Sequence, residues 1–260
     1  MAEKQGPPPP IAQQPGTAQY GQQSGEVVVQ NPGFVQLQMP QPIPNCPPGL
    51  EYLAQIDQLI IKQKKELFEI FTGCEMQNKY HVYNTLGQQI YFVQEDTDFC
   101  TRQCCGPLRP FDIQVIDNFQ REVIRLVRPL RCQGACCPCC LQVLEVHAPP
   151  GNIVGYVKER WTCCYPKWDL FNANNDLILT IGGPLCQCKC CGDVVYNVMS
   201  ADETSEVGKI TKQWMGLMEL FTDADNFSVT FPMDMDISAK AVIFGAAFLI
   251  DFMYFEESDN

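Results

Sequence analysis

Short apolar runs in pairs, each pair separated by a polar turn, dominate the chain between residues 79 and 214. Each run is rich in β-branched or aromatic residues and is bounded by Asn, Asp, Gly or Pro, which is typical of β-hairpins. Because no amphipathic helix separates the pairs, they predict an antiparallel meander of about ten to twelve strands, closed as a barrel or folded as a sandwich. The five pairs are 80–84 with 90–93, 111–116 with 122–127, 141–147 with 153–157, 168–171 with 177–181, and 194–199 with 207–211.

The residues before these hairpins show a helical spacing. Leu53, Ile56, Leu59 and Ile60 lie at positions i, i+3, i+6 and i+7, and three lysines follow within residues 62–65. Lysines near a helix C-terminus interact favourably with the helix dipole. The spacing therefore predicts a helix of about three turns within residues 51–70.

Residues 241–255, in a predicted helix at 240–255, are apolar on every side, and Asp251 is the only charge between Lys240 and Glu256. Fifteen helical residues would span roughly 22 Å, less than the roughly 30 Å of a bilayer hydrocarbon core. A helix that is apolar all round must be buried. We therefore predict a helix threaded through a closed barrel, with Lys240, Gly245 and Asp251 as its residues of interest and Asp251 in need of a buried partner.

The amino-acid composition changes at about residue 50. Residues 1–50 contain 11 Pro, 10 Gln and 6 Gly and almost no charge, which predicts a disordered tail before a folded domain at 51–256. Pro7–Pro10 and Pro44–Pro47 have the PxxP spacing of SH3 and WW ligands, and a solvated spacer is the alternative.

Charge and histidine content narrow the function classes. The net charge of −12 argues against a nucleic-acid binder, whose affinity rests on basic patches. Only two histidines are present, and no glycine-rich phosphate loop or Ser–His–Asp set indicates an enzyme. The polar, proline-rich start lacks a secretory apolar run, so we expect a cytosolic chain whose sixteen cysteines are thiols, metal ligands or acylation sites.

The densest cysteine patch follows a Pro- and Gly-containing stretch and holds four thiols, at Cys136, Cys137, Cys139 and Cys140. Thiols on such a loop are good acceptors for S-acylation, and about two acyl chains suffice for stable membrane anchoring. Zinc is the rival, because 136/139, 137/140 and 188/191 fit C-x-x-C. However, 48 residues separate Cys139 from Cys188, which zinc ribbons do not show, and plain thiols are the third alternative.

An acidic segment at 223–236 fits two patterns. One is a calcium loop of about twelve residues that lacks the usual central glycine, because Ser228 stands there, and that should bind weakly. The other is a strand, because apolar residues alternate strictly with polar ones from Phe227 to Ile237, and this pattern is the stronger of the two. The candidate calcium positions are Asp223, Asp225, Phe227, Val229, Phe231 and Asp234.

Several long motifs resemble the phospholipid scramblases over roughly residues 45–256. They include NCPPGLEYLAQIDQLIIKQ, EDTDFCTRQCCGPLRPF, RPLRCQGACCPCCLQ, APPGNIVGYV, CKCCGDV, VGKITKQW and FTDADNF followed by FPMDMDISAKAVIFGAAFLIDFMYFE. The resemblance implies a tubby-like barrel around the C-terminal helix and a calcium-dependent, ATP-independent mover of phospholipids between leaflets. It also implies palmitoylation at Cys136, Cys137, Cys139 and Cys140 and a weak Ca²⁺ site at Asp223–Asp234. The family is further expected to be single-pass in the plasma membrane, with the final helix as its anchor and its bulk on the cytoplasmic face.

Further expectations follow from this resemblance. Residues Gly208–Trp214 resemble an unconventional nuclear-import segment, which implies a nuclear pool of under-acylated chain. Because one short helix offers no polar path for headgroups, scrambling would need homo-oligomers or local bilayer thinning. The alternative function is an acylated, membrane-docked scaffold that recruits SH3 or WW domains through its tail and moves no lipid.

Overall fold

A computed structural model describes residues 43–44, 46–64, 77–97, 101, 109–131, 140–185, 192–213 and 226–256. Within this part of the chain a short helix, α1 (Glu51–Ala54), precedes twelve strands, and a long helix, α2 (Ile237–Tyr254), follows them. The strands are β1 (Gln58–Lys64), β2 (Lys79–Tyr83), β3 (Gln89–Glu95), β4 (Phe111–Asp117), β5 (Glu122–Arg128), β6 (Val143–His147), β7 (Ile153–Arg160), β8 (Lys167–Asn172), β9 (Leu177–Gly182), β10 (Val194–Ser200), β11 (Glu206–Gln213) and β12 (Asn226–Thr230).

The twelve strands form one closed antiparallel barrel. Each strand pairs with its neighbours in sequence, and β1 closes the barrel by pairing with β12, with Ile60 opposite Ser228. All five predicted hairpins are present, and so is the predicted closure. Closing the sheet removes the exposed strand edges that would otherwise invite aggregation.

The two ends of the barrel differ. At the end that we call the hairpin end, residues 84–88, 118–121, 148–152, 173–176 and 201–205 make tight turns. At the opposite end, which we call the cysteine end, strands β1, β3, β5, β7, β9 and β11 finish. Five of the six connections that follow these strands contain every cysteine of the sequence except Cys46.

Alternating burial along the strands explains why they enclose α2. In β4 buried and half-buried positions alternate at every residue, so that apolar side chains point inward. Aromatic side chains fill the space between wall and helix. Phe248 of α2 lies 5.1 Å from the ring of Tyr80, and Phe252 lies 4.4 Å from the ring of Phe111.

The predicted three-turn helix at 51–70 is wrong. Only Glu51–Ala54 are helical, and residues 58–64 form β1, with Leu59 and Ile61 facing the core. Pairing with β12 and β2 on both sides overrides the local helical spacing. The packed unit also includes residues just before the predicted boundary, since Leu50 is fully buried. Residues 1–42 lie outside the described part.

Candidate functional site: the helix enclosed by the barrel

Helix α2 is the described segment that has the length and composition to cross a membrane. It has 18 residues and a mean hydropathy of 1.6, yet 78% of it is buried inside the protein. Asp236 caps its N-terminus by accepting a hydrogen bond from the backbone N–H of Ala239 at 3.0 Å. The predicted apolar helix is therefore confirmed, and it lies inside the barrel.

Lys240 holds the N-terminal half of α2 at the hairpin end. Its side chain is fully buried, and its ammonium donates to three backbone carbonyls, those of Leu53 at 3.0 Å, Ile56 at 2.9 Å and Met233 at 2.8 Å. Three donors therefore meet three acceptors, which satisfies a charge that would otherwise be costly to bury. The lysine ties α2 to the chain on both sides of the barrel closure.

Asp251 holds the C-terminal half of α2 at the cysteine end. Its Oδ2 accepts a hydrogen bond of 2.8 Å from the Tyr80 hydroxyl, and its Oδ1 lies 3.6 Å from Nζ of the buried Lys212. Burial, followed by the charge of Asp251, raises the pKa of Tyr80 well above its ordinary value, so the phenol remains a donor. The buried carboxylate thus has the partners that its position required.

A second charged cluster lies where the chain leaves α2. Arg109 is buried and bridges Glu95, at 2.7 Å between Nε and Oε1, to Glu256. Burial acts to lower the pKa of Arg109, but the two carboxylates outweigh it and raise that pKa. Burial raises the pKa of Glu256 to about 7 despite the attraction of Arg109. One guanidinium therefore holds two carboxylates.

Gly245 faces side chains of β5 and β6. A Cβ atom added there would lie 3.0 Å from Val146, 3.1 Å from Leu126 and 3.3 Å from Leu144. These distances are shorter than ordinary van der Waals contact, so an added methyl group would push the three side chains back by a few tenths of an ångström, and a larger side chain would push them further. The glycine therefore allows α2 to pack closely against this part of the wall.

The candidate calcium residues do not form one loop within the described residues. Phe227 and Val229 are buried in β12, which pairs with β1 and β11, and Phe231 is buried just beyond the strand. Asp234 is exposed near the hairpin end, whereas β12 begins with Asn226 at the cysteine end. Asp223 and Asp225 lie outside the described residues. Among those that are described, no three His, Cys, Asp or Glu side chains converge as a metal site.

The strand pattern predicted for this segment is correct for residues 226–230 only. Beyond Thr230 the backbone N–H of Phe231 still bonds the carbonyl of Asp57 at 2.9 Å, and then Pro232 begins a turn that leads into α2. Proline has no N–H to continue a ladder, which explains why the strand ends there.

Of the cysteine patch, only Cys140 belongs to the described residues, where it is partly buried and its carbonyl accepts from Gln142 Nε2 at 3.0 Å. Cys136, Cys137 and Cys139 lie outside them, as do Cys188 and Cys191 of the zinc alternative. Acylation and zinc binding therefore stay predictions. In the segment resembling a nuclear-import signal, Lys209 is exposed, whereas Lys212 is buried and faces Asp251.

Sequence reasoning missed the partners of these charges. Tyr80 and Lys212 approach Asp251 from strands that are distant in sequence, and Glu256 meets Arg109 across 147 residues. The spacing of residues within one segment cannot predict contacts between segments that are so far apart in sequence. The sequence did offer a signal for the N-cap at Asp236, since Asp favours helix initiation and stands four residues before Lys240 and the apolar run.

The architecture and its contents define the class of protein: a closed twelve-stranded antiparallel barrel whose core is a C-terminal apolar helix held by buried charges at both ends. The sequence profile described as Scramblase matches residues 37–257. The chain belongs to the scramblase family.

Relatives of this chain carry the same family name. Phospholipid scramblase 1 of Homo sapiens is 55% identical over 222 residues, which cover 85% of this chain and 70% of that protein. Phospholipid scramblase 2 of Bos taurus is 57% identical over 221 residues, covering 84% and 75%. Phospholipid scramblase 2 of Homo sapiens is 52% identical over 223 residues, covering 85% and 75%.

Proposed function

We propose that this chain moves phospholipids between the two leaflets of a bilayer in both directions, with Ca²⁺ and without ATP. Membership of the scramblase family supports the lipid-moving activity. The observation that carries the proposal is α2, an 18-residue apolar helix that both a barrel interior and a hydrocarbon core would accept. Such transport needs no covalent catalysis, because it only lowers the barrier that headgroup dehydration imposes.

In this proposal the closed barrel is the resting state. The apolar surface of α2 faces the wall, so lipid has no access to it while Lys240 and Asp251 keep their partners. Lipid movement then requires either that the barrel opens at one end or that several closed barrels together thin the bilayer. Homo-oligomers belong to the second route.

Calcium is proposed to act on carboxylates near α2. Asp234 is exposed beside the N-terminus of the helix, and Asp57 and Asp234 both act electrostatically on Lys240. A cation that neutralises them would weaken the field that favours charged Lys240 and so loosen the attachment of α2 at the hairpin end. The proposed binding is weak, in keeping with hard oxygen ligands and with no preformed cage among the residues that the structure describes.

Palmitoylation at Cys136, Cys137, Cys139 and Cys140 is proposed to hold the chain on the cytoplasmic face of the plasma membrane. About two acyl chains are enough for stable anchoring without a spanning helix. The proline-rich residues before the barrel are proposed to bind SH3 or WW domains. An under-acylated fraction would be released to the cytosol and nucleus.

The test is a lipid-flip assay with purified full-length chain in vesicles that contain fluorescent phospholipid, with and without Ca²⁺. Asp234→Ala should lower the calcium-stimulated rate. Asp96→Ala is the matched control, because Asp96 is also an exposed carboxylate just past a strand but lies at the cysteine end. No flip above that of protein-free vesicles, with or without Ca²⁺, would refute scrambling. Flip that does not respond to Ca²⁺ would refute the calcium dependence, and equal rates in both variants would refute the role of Asp234.

A second function is an acylated, membrane-docked scaffold that moves no lipid. The specific observation in its favour is that α2 is tied at both ends, by the three carbonyls at Lys240 and by Tyr80 at Asp251. Protease digestion of membrane-bound chain separates the two functions. If Ca²⁺ leaves the cleavage pattern of residues 237–256 unchanged and lipid does not flip, the scaffold function is correct.

A further inference from the structure

The connection between β7 and β8 is an uncharged loop that exposes two aromatic rings and two adjacent thiols. Residues 161–166 read Trp-Thr-Cys-Cys-Tyr-Pro. Trp161 is 57% exposed and Tyr165 41% exposed, and both thiols are exposed with their sulfur atoms 3.2 Å apart. The hydroxyl of Thr162 donates to the carbonyl of Tyr165 within the loop, whereas Thr162 and Pro166 are themselves partly buried.

A neighbouring connection extends this apolar surface. The backbone N–H of Gly183 donates to the carbonyl of Pro166 at 2.9 Å. A Cβ atom at Gly183 would lie 2.7 Å from the Pro166 ring and 2.8 Å from Tyr196, so only glycine permits this close packing. Leu185, two residues further on, is 78% exposed. Trp161, Tyr165 and Leu185, together with the two thiols, form what we call the loop patch.

The charges beside the loop patch neutralise one another, and one of the carboxylates, Glu203, reaches them from the turn between β10 and β11. Arg160 binds Asp169 and Glu203, and Lys167 binds the other oxygen of Glu203 at 2.5 Å. Two cations thus meet two carboxylates, and the patch beside them carries no charge of its own. Tryptophan and tyrosine favour the interface between water and lipid, because their rings are apolar and their polar atoms stay wet.

The loop patch lies at the cysteine end of the barrel. Arg128 and Val143, which flank the proposed palmitoylation patch, end β5 and begin β6 at this same end. Lipid attached at either place would therefore draw the same face of the barrel toward a bilayer. This geometry is needed for two weak anchors to act together.

We propose that Cys163 and Cys164 are a second S-acylation site and that the loop patch contacts the bilayer surface. This inference rests on the membrane association within the proposed function but not on lipid scrambling. The acyl donor is a long-chain acyl-coenzyme A thioester. The cysteine sulfur attacks the thioester carbonyl carbon, a new carbon–sulfur bond forms, the bond to coenzyme A breaks, and the thiol proton leaves with coenzyme A as its free thiol.

The test counts acylated cysteines in full-length chain from cells. Free thiols are blocked and thioesters are cleaved with neutral hydroxylamine. Each released thiol is then tagged with a maleimide polymer, which increases the apparent mass of the protein on a gel by one fixed step. The double variant Cys163→Ser, Cys164→Ser should lose up to two steps. The quadruple variant C136S/C137S/C139S/C140S should keep steps that only the Cys163 and Cys164 substitutions then remove.

A step pattern that vanishes in the quadruple variant would overturn the proposal, and so would an unchanged pattern in the double variant. A thiol pair that is released by reductant but not by hydroxylamine would also overturn it, since that result identifies a disulfide. Because both cysteines are exposed, serine at these positions should leave the fold intact, which circular dichroism of the same variants checks.

Two leucines provide a matched test of bilayer contact. Leu185 is 78% exposed in the loop patch, and Leu86 is 79% exposed at the hairpin end. Leu185→Asp should lower the occupancy of the Cys163 and Cys164 steps, whereas Leu86→Asp should leave it unchanged. Equal effects would refute contact through this face. Acylation without any flip activity would instead refute the proposed transport and leave this site intact.

Discussion

Replacing Asp251 by alanine tests whether the buried charge pair secures α2 in the barrel. The substitution removes the acceptor of the Tyr80 hydrogen bond, which is 2.8 Å long, and the carboxylate that lies 3.6 Å from Lys212. Both charged side chains are almost wholly inaccessible to water. Water therefore cannot replace the lost partner without opening the cysteine end of the barrel.

The expected loss follows from these contacts. Removing one member of a buried ion pair destabilises a protein by about 3–5 kcal/mol, because the remaining charge stays in a poorly solvating environment. The lost Tyr80 hydrogen bond contributes about 1 kcal/mol, and the two effects overlap. We expect Asp251→Ala to lower the free energy of unfolding by about 3–5 kcal/mol, a large part of the roughly 5–15 kcal/mol that domains possess.

Urea denaturation followed by tryptophan fluorescence is the appropriate assay. The ring of Trp168 is buried 5.9 Å from Tyr254 at the end of α2 and 5.8 Å from Tyr196 in the wall, so its emission reports helix–barrel contact. Trp161→Phe and Trp214→Phe in the background leave Trp168 as the one tryptophan of the sequence. The control is Lys212→Met with Asp251→Leu, which replaces the pair by apolar side chains and should recover most of the loss.

Two results would refute this reasoning. The first is a loss below about 1 kcal/mol in Asp251→Ala, and the second is a double variant as unstable as the single one.

The same proteins inform the transport mechanism. If scrambling requires α2 to leave the barrel, Asp251→Ala should flip lipid without Ca²⁺ and the double variant should not.

Three further predictions concern the fit and charge of α2 and of the residues that follow it. Gly245→Leu should lower the unfolding free energy by about 1–3 kcal/mol, because the new side chain overpacks against Leu126, Leu144 and Val146. The control is Gly182→Ala, whose added methyl group meets open space and should change the unfolding free energy by no more than about 0.5 kcal/mol in the same urea titration. Lys240→Met removes the donor to three buried carbonyls and should lower the unfolding free energy by roughly 2–4 kcal/mol. An unfolding free energy equal to that of the wild type would contradict the hydrogen bonds of 2.8–3.0 Å. Because the pKa of Glu256 is raised from 4.5 to about 7, its stabilising contribution is complete below pH 4.5 and is lost as the pH rises through 7. The melting temperature of Glu256→Gln, relative to wild type, should therefore increase from pH 5 to pH 8, and a constant difference would argue against the shifted pKa.

Local chemistry made most of the barrel predictable. The turns at 84–88 and 148–152 carry glycine where the backbone takes positive φ, with Gly87 at +75° and Gly151 at +89°. Such turns, placed between alternating runs, determine which strands are adjacent in an antiparallel meander. The apolar helix was predictable as well, because a segment without a polar face must be enclosed.

Long-range pairing explains the wrong prediction. Leu53, Ile56, Leu59 and Ile60 have helical spacing, but Leu59 and Ile61 also alternate inward as a strand requires. The choice depends on β12, which lies more than 160 residues further along the chain and pairs with β1. The buried contacts at Asp251 and Glu256 were unpredictable for the same reason, since each partner comes from a distant strand or connection.

The location of α2 sets a condition on any mechanism of lipid transport. A bilayer would accept the apolar helix. Its departure would nevertheless expose the wall residues that the helix now covers, such as Leu126, Leu144 and Val146, and the bilayer would not by itself offset the free energy lost there. Burying one such side chain contributes about 1.5–3 kcal/mol, so exposing even ten would exceed the stability of an ordinary domain. Helix release therefore requires that lipid chains replace α2 inside the barrel or that the barrel unfolds. Transport that leaves the barrel closed would instead be independent of every substitution that changes only how tightly α2 is held.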